Sequence, residues 1–159
     1  MALVSLIFFS PLIALIALLI KWEDSKGNVI YRQERIGYKG KPFTLYKFRS
    51  MRMDAEAGNR PQLFTDGDSR LTKVGAFIRA HHLDEFPQLW NVIKGEMSFV
   101  GPRPERQFFI DQIMERNPDY VRLYTVRPGL FSYATLYNGY TDTIEKMLER
   151  LRLDLKYLD

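Results

Sequence analysis

The first twenty residues constrain the fold more than any other part of the chain. Ala2 to Ile20 is an apolar run without a charged side chain. A straight α-helix of that length would reach about 28 Å, close to the hydrocarbon thickness of a bilayer. Pro11 interrupts such a helix because proline removes a backbone hydrogen bond, and the Ser10 hydroxyl can bond a freed carbonyl. We therefore expect a helix that breaks at Ser10-Pro11, either as a kinked single-pass anchor or as a bend that returns to the same face.

Basic residues follow this apolar segment and indicate its orientation. They are Lys21, Lys26, Arg32, Arg35, Lys39 and Lys41. By the positive-inside rule this flank is cytoplasmic. A secretory signal is disfavoured, because the segment has no basic start and no cleavage site before Lys21. The rest of the chain is therefore expected at the cytoplasmic face of a membrane.

The charge balance indicates anionic partners. The chain has 23 Lys and Arg against 19 Asp and Glu, which favours nucleotides, nucleic acid or acidic lipid. Nucleic acid is disfavoured, because no helix-turn-helix spacing, zinc module or RNP motif is present. The absence of cysteine excludes disulfides, thiolate zinc sites and cysteine nucleophiles.

The remaining pattern predicts an α+β fold that is mainly helical. Residues 1–21 form the membrane segment, and residues 22–159 form one small domain with short strands. The predicted strands are Val29 to Tyr31 and Phe43 to Tyr46, and the predicted helices are Thr72 to Leu83, Glu105 to Asn117 and a last helix that opens with a capping box at Asp142 and Glu145. The apolar stripe of the middle helix suits a core or a membrane interface. The last helix reaches Asp159 without a C-cap, so we expect the natural chain to continue.

Asp84 and Glu85 are the strongest candidates for chemistry. They precede a helical pattern that starts near Pro87, and Arg79 and Arg103 flank them in the sequence. An ionised carboxylate at a helix N-terminus can act as a nucleophile or bind Mg²⁺. The same position also suits an N-cap, so the local sequence leaves catalysis and capping equally open.

A second candidate is the segment Lys47-Phe-Arg49. In an extended strand the two cations project to the same face, which suits a diphosphate, although a solvated strand face explains them equally well.

Several long motifs resemble one known family. They are Ser10-Pro11, Tyr31-Arg-Gln-Glu-Arg35-Ile-Gly37, Lys47-Phe-Arg-Ser-Met51, Leu83-Asp-Glu-Phe-Pro-Gln-Leu89, Asn91 through Gly101-Pro-Arg-Pro104, and Arg127-Pro-Gly129. In this order they resemble the bacterial sugar transferases, the small monotopic polyprenyl-phosphate phosphoglycosyl transferases. The resemblance covers nearly the whole chain.

The resemblance implies a fold, a location and a reaction. It implies a re-entrant membrane helix broken at Ser10-Pro11, interfacial amphipathic helices and a place on the cytoplasmic face of the bacterial inner membrane. It also implies that sugar 1-phosphate moves from a UDP-sugar to polyprenol (undecaprenyl) phosphate with release of UMP, as a first membrane step of surface glycoconjugate or exopolysaccharide synthesis. Asp84 would be the nucleophile of a ping-pong mechanism, with Mg²⁺ as cofactor at Asp84 and Glu85.

Further expectations follow for the residues around the acidic pair. Lys47, Arg49, Arg79, Arg103 and Arg127 would offset the charge of the diphosphate. Glu85 would bind the metal or act as a general base. The chain departs from the family at Leu130-Phe131-Ser132 and Leu136, where Thr-Gly and a Gln usually precede Asn-Gly, and this region is expected to shape sugar or nucleotide selection.

Two other functions are compatible with the residues. A non-catalytic membrane-surface module would bind acidic lipid, and Asp84 would only cap a helix. Direct glycosyl transfer would release UDP rather than UMP.

Overall fold

The computed structural model describes residues 1–55, 63, 65, 67–138 and 141–158, with only the backbone of residue 138. Its helices are α1 (Ala2–Phe8), α2 (Ser10–Glu23), α3 (Lys73–Ala80), α4 (Gln88–Ile93), α5 (Gln107–Arg116), α6 (Thr135–Asn138) and α7 (Ile144–Lys156). Its strands are β1 (Ile30–Ile36), β2 (Pro42–Phe48), β3 (Ser98–Val100) and β4 (Gly129–Phe131), and three 3₁₀ segments cover Tyr38–Gly40, Leu83–Glu85 and Pro118–Thr125. The architecture is α+β, as predicted.

The apolar N-terminal segment bends where the sequence predicts a break. Helices α1 and α2 meet at an angle of 61°. The Ser10 hydroxyl donates a 2.7 Å hydrogen bond to the carbonyl of Ile7, and Pro11 lies in the first turn of α2, where its missing N–H costs nothing. Across the described residues no single helix is both long and apolar enough to cross a membrane, whereas the bent pair passes that test as a unit.

The bent pair presents one apolar face to the domain and leaves another uncovered. Ile16 and Ile20 of α2 are buried in a cluster with Phe48 and Ile78. On the other side, large apolar side chains of the pair are exposed, namely Leu3, Val4, Ile7, Phe8, Leu18 and Trp22. Exposed large apolar side chains in this number on adjacent helices favour an interaction surface.

Strands β1 and β2 form an antiparallel hairpin that is longer than the sequence predicts. Ile30 pairs with Phe48 at one end and Ile36 with Pro42 at the other. The connection contains the 3₁₀ segment Tyr38–Gly40, in which Lys39 (φ 58°) and Gly40 (φ 69°) adopt left-handed backbone conformations.

One buried asparagine attaches helix α4 to the free edge of β2. The Asn91 amide group donates to the Thr44 carbonyl at 2.7 Å, and its Oδ1 accepts from the Tyr46 N–H at 3.2 Å. The side chain thus replaces a neighbouring strand for two backbone groups of β2. Because Asn91 is fully buried, this contact fixes α4, and the acidic turn before it, against the hairpin.

Replacing this asparagine should therefore destabilise the fold. We expect Asn91→Leu, which keeps a similar volume, to lower the free energy of unfolding by about 2–4 kcal/mol, because it leaves buried backbone groups of β2 without partners. Denaturant unfolding of the purified protein in detergent measures the change. The control Asn28→Leu makes the same substitution at an exposed position before β1 and should change the stability by less than about 0.5 kcal/mol. Equal stabilities for the two variants would contradict this role of Asn91.

A short parallel pairing joins two of the sequence motifs. The Gly101 N–H donates to the Phe131 carbonyl at 3.0 Å, and the Gly129 N–H donates to the Pro102 carbonyl at 2.9 Å. A Cβ atom on Gly129 would lie 2.1 Å from the Gly101 nitrogen, so the two backbones meet where only glycine fits. This pairing sets the position of the loop that carries Arg103.

Helices α5 and α7 form the second hydrophobic core. Ile110 and Ile113 pack with Met147 and Leu151, and all four side chains are buried. In the apolar stripe of α5, the core alternative is confirmed for Phe109 and Ile113, whereas Phe108 is exposed. The predicted cap of the last helix is wrong by one residue: the Thr143 side chain, not Asp142, accepts from the Lys146 N–H, because α7 begins at Ile144.

Candidate active site

Asp84 and Glu85 lie in a 3₁₀ turn between α3 and α4. His82, just before the turn, has a left-handed backbone (φ 55°). The N-cap of α4 is Pro87, with no capping side chain, so the alternative in which Asp84 caps this helix is not what the structure shows. Instead the Asp84 side chain is buried, and within the described residues its Oδ1 has no hydrogen-bond partner. A buried, unpartnered carboxylate oxygen is costly for stability, which favours a functional role.

Glu85 has two cationic partners. Its Oε1 accepts from Lys47 Nζ at 3.2 Å and from Arg103 Nη2 at 3.0 Å. Burial alone would raise the pKa of Glu85, but Arg103 and Lys47 outweigh it and hold the pKa well below its usual range. Glu85 is therefore an ionised carboxylate throughout the physiological pH range.

Asp84 titrates differently from its neighbour. Burial raises the pKa of Asp84, Lys47 offsets part of this effect, and the negative charge of Glu85 adds to it. The sequence led us to expect that a helix N-terminus would favour the ionised form. In the structure the nearby cations oppose the burial, and the pKa still lies above its ordinary value.

A polar cavity of about 200 Å³ brings most of the predicted site residues together. Lys47, Arg79, Asp84, Glu85 and Arg103 all line it. These residues come from β2, α3, the 3₁₀ turn and the loop after β3. A small cavity in which several cations surround two adjacent carboxylates suits a charged phosphate ester together with a divalent cation.

Three further charged residues, Arg35, Glu105 and Arg150, line this cavity. The sequence pattern does not predict them at this site. Arg35 Nη1 donates to both oxygens of Glu105, at 2.8 and 3.0 Å, and Arg150 Nη2 lies 3.5 Å from Glu105 Oε2. Arg35 was interpreted as part of the basic flank, and Glu105 as the start of a helix. Arg35 lies within a motif that resembles the family, and Glu105 directly follows another. This position is the feature of the sequence that could have identified them as site residues.

Two predicted phosphate ligands lie elsewhere. The Arg49 guanidinium is buried against the end of α2, with Nη1 2.6 Å from Asp24 Oδ2 and Nη2 3.0 Å from the Asp24 carbonyl. Arg127 is exposed and lies over the Tyr38 ring, 5.9 Å from its centroid. Neither is among the residues that line the polar cavity.

A buried aspartate near the end of α7 holds the Arg103 loop. Asp154 Oδ2 accepts from the backbone N–H of Arg103 at 3.4 Å, and its Oδ1 accepts from the Ser132 hydroxyl at 2.8 Å. The Asp154 side chain therefore connects the β3 and β4 segments to the last helix, which keeps the Arg103 guanidinium against Glu85.

The acidic pair fits a magnesium ion. In the described part of the chain no group of three His, Cys, Asp or Glu side chains could hold a metal ion by itself. Mg²⁺ is commonly bound by one or two carboxylates, with substrate phosphates and water as the other ligands. The unpartnered Oδ1 of Asp84 is the observation that favours this donor set.

Comparisons with known proteins agree with the resemblance read from the motifs. The family model for bacterial sugar transferases matches residues 1–159. A UDP-N-acetylgalactosamine-undecaprenyl-phosphate N-acetylgalactosaminephosphotransferase of Aeromonas hydrophila is 40% identical over 99% of the chain and 37% of its own length. A UDP-glucose:undecaprenyl-phosphate glucose-1-phosphate transferase of Klebsiella pneumoniae is 43% identical over 96% of the chain and 33% of its own length. The chain thus spans little more than a third of the length of these two relatives.

Proposed function

Because this chain belongs to the bacterial sugar transferase family, we propose that it moves a sugar 1-phosphate from a UDP-sugar to polyprenol phosphate and releases UMP. The names of the relatives support the acceptor and the class of donor. The observation that carries the proposal is the buried carboxylate of Asp84 in a cavity lined by five Lys and Arg side chains.

The proposed reaction has two displacements at one phosphorus atom. In the first, a carboxylate oxygen of Asp84 attacks the sugar-linked phosphorus, and the bond to the UMP oxygen breaks, so that UMP leaves with the bonding electron pair. In the second, an oxygen of polyprenol phosphate attacks the same phosphorus, and the Asp84 carboxylate is released. The product is polyprenyl-diphospho-sugar, and the enzyme returns to its starting form.

The surrounding charges address the main obstacle, which is repulsion between a carboxylate and a diphosphate. Lys47, Arg79 and Arg103 supply positive charge on the walls of the cavity. Mg²⁺ held by Asp84 and Glu85 would add Lewis-acid stabilisation of the phosphoryl oxygens.

Of the two roles that the sequence leaves open for Glu85, the charges favour metal binding. A general base works best when its pKa lies near the working pH. The pKa of Glu85 is held far below that range, after the opposing effect of burial, by Arg103 and Lys47. Glu85 is therefore suited to remain ionised beside a cation.

We also propose that the bent helix pair is a re-entrant membrane segment on the cytoplasmic face of the inner membrane. The exposed apolar side chains of α1 and α2 support this proposal, as does the basic flank after them. Such a position would bring a water-soluble donor and a lipid acceptor to the same cavity.

The re-entrant proposal predicts that both ends of the helix pair react from one side. Since the chain has no cysteine, Ala2→Cys and Ser25→Cys each introduce a unique thiol. We expect a membrane-impermeant maleimide to label both variants in inside-out vesicles and neither in right-side-out vesicles. Labelling of Ala2→Cys only from the opposite side to Ser25→Cys would contradict the proposal and favour a single-pass anchor.

The nucleotide product tests the proposed function. The chain is mixed with undecaprenyl phosphate, Mg²⁺ and either UDP-glucose or UDP-N-acetylgalactosamine, the donors that the relatives' names indicate. Release of UMP that requires the lipid phosphate for turnover supports the proposal. Release of UDP would indicate direct glycosyl transfer. No nucleotide release, together with binding to vesicles of acidic lipid, would favour a non-catalytic surface module.

A further inference from the structure

A second and larger cavity adjoins the polar one. Its volume is about 770 Å³, and its walls are mostly apolar. Phe9 of the apolar N-terminal segment forms part of the wall, together with Phe86 and Leu89 beside the acidic turn. Cavities of roughly 300–1,000 Å³ enclose most of a small organic molecule, so this one has room for a segment of a longer apolar chain.

The two cavities share a boundary at the acidic pair. Glu85 and Arg103 line both of them, as do His82 and Thr135. The Arg103 side chain remains about one third exposed while it bonds Glu85. A molecule with a phosphate head and an apolar tail can therefore place its head near Arg103 and its tail in the large cavity. A nucleotide sugar has no such tail.

Residues of the segment that follows Arg127-Pro-Gly129 line the large cavity. Leu130, Phe131, Ser132 and Leu136 all contribute to its wall. From the sequence we expect this region to select the sugar or the nucleotide. None of the four is among the residues that line the polar cavity where Asp84 lies. The expectation about sugar selection therefore loses its geometric basis.

We propose that the large cavity binds the isoprenoid segment next to the phosphate of the lipid acceptor, and that Phe131 and Leu136 determine which lipid phosphates the enzyme accepts. This inference rests on the proposed function. Both side chains are largely exposed, Phe131 at 63% and Leu136 at 78%, so they contribute little to the core, and an apolar ligand would cover them. The wall at Phe9 connects the cavity to the segment that we place in lipid, from which the rest of the tail would extend.

The test compares acceptor and donor kinetics in three variants. Phe131→Gln and Leu136→Gln each place an amide in the cavity wall, and Val121→Gln is the matched control at an exposed position that lines neither cavity. We expect the KM for undecaprenyl phosphate to rise about tenfold or more in the two cavity variants, the usual scale for a lost apolar contact in a binding pocket. The KM for the UDP-sugar should stay unchanged, and Val121→Gln should match the unaltered chain.

Acceptors of different length sharpen the test. With geranyl phosphate, whose tail is two isoprene units, the cavity variants should also lose activity if the cavity binds the units next to the phosphate. Undiminished use of both acceptors by the cavity variants would overturn the inference. A rise in the KM for the UDP-sugar alone would also overturn the inference. It would indicate that this region selects the sugar.

The donor half-reaction separates this inference from the proposed function. Exchange of radiolabelled UMP into the UDP-sugar needs Asp84 but no lipid acceptor, so both cavity variants should exchange at the rate of the unaltered chain. Loss of exchange only in these variants would show that the cavity serves the donor and would overturn the inference. Absence of exchange in the unaltered chain would overturn the proposed mechanism itself.

Discussion

Asp84→Asn should abolish both UMP release and the covalent adduct formed with a UDP-sugar labelled in its sugar. The amide has the size of the carboxylate, but it lacks the negative charge and the nucleophilic oxygen that the first displacement requires. We expect a loss of turnover of about 10⁴-fold or more, the scale seen when a covalent nucleophile is removed. Nucleotide analysis and gel autoradiography of the quenched reaction measure the two effects.

A control variant and a folding check make this result specific. Asp119→Asn changes an exposed carboxylate in the 3₁₀ segment after α5 and should retain full activity. Because burial raises the pKa of Asp84, removal of its charge should not destabilise the protein, and the melting temperature of Asp84→Asn should equal or exceed that of the unaltered chain. Retention of the labelled adduct in Asp84→Asn would contradict the assignment of the nucleophile.

Arg103→Lys should reduce kcat/KM by about 10²–10³-fold, although it keeps the positive charge. Arg103 lies on the boundary between the polar and the apolar cavity and bonds Glu85 at 3.0 Å. Its planar guanidinium can contact Glu85 and a phosphate at the same time, whereas the single ammonium group of lysine lacks this geometry. The loss is of the order found when one preorganised donor is removed from a charged transition state. Initial rates with both substrates varied give the effect on each KM.

The matched control for this arginine is Arg152→Lys. Arg152 pairs with Glu149 on the exposed side of α7, and its replacement should leave the kinetics unchanged. If Arg103→Lys had the same kcat/KM as this control, simultaneous contact of Arg103 with Glu85 and a phosphate would be excluded, and only the charge of Arg103 would matter.

Structural features that depend on residues close together in the chain were predictable from the sequence. The break at Ser10-Pro11 follows from the backbone chemistry of proline, and the Ser10 bond to Ile7 is the one expected. The hairpin follows from the turn residues between its strands. The meeting of Lys47, Arg79 and Arg103 at the acidic pair was also expected, but it rested on the family resemblance and not on local pattern.

The contacts between distant residues were not predictable in this way. Nothing in the neighbourhood of Asn91 indicates that its side chain completes the edge of β2, since its two partners precede it by 45 and 47 residues. The sequence pattern also did not indicate that the side chains of Lys47 and Arg49 lie at different sites. Their alternation suggested a shared phosphate, but Arg49 bonds Asp24 at the end of the apolar helix pair. The capping alternative for Asp84 does not hold, because a 3₁₀ turn intervenes before α4 begins at Gln88.

The central claim is that Asp84 forms a covalent intermediate after UMP leaves, and isotope exchange tests it most directly. The chain is incubated with Mg²⁺, unlabelled UDP-glucose or UDP-N-acetylgalactosamine, and radiolabelled UMP, without any lipid acceptor. A double displacement predicts that label enters the UDP-sugar with the unaltered chain and not with Asp84→Asn. If the unaltered chain transferred sugar phosphate to undecaprenyl phosphate but showed no exchange, direct attack by the lipid phosphate would replace the covalent mechanism.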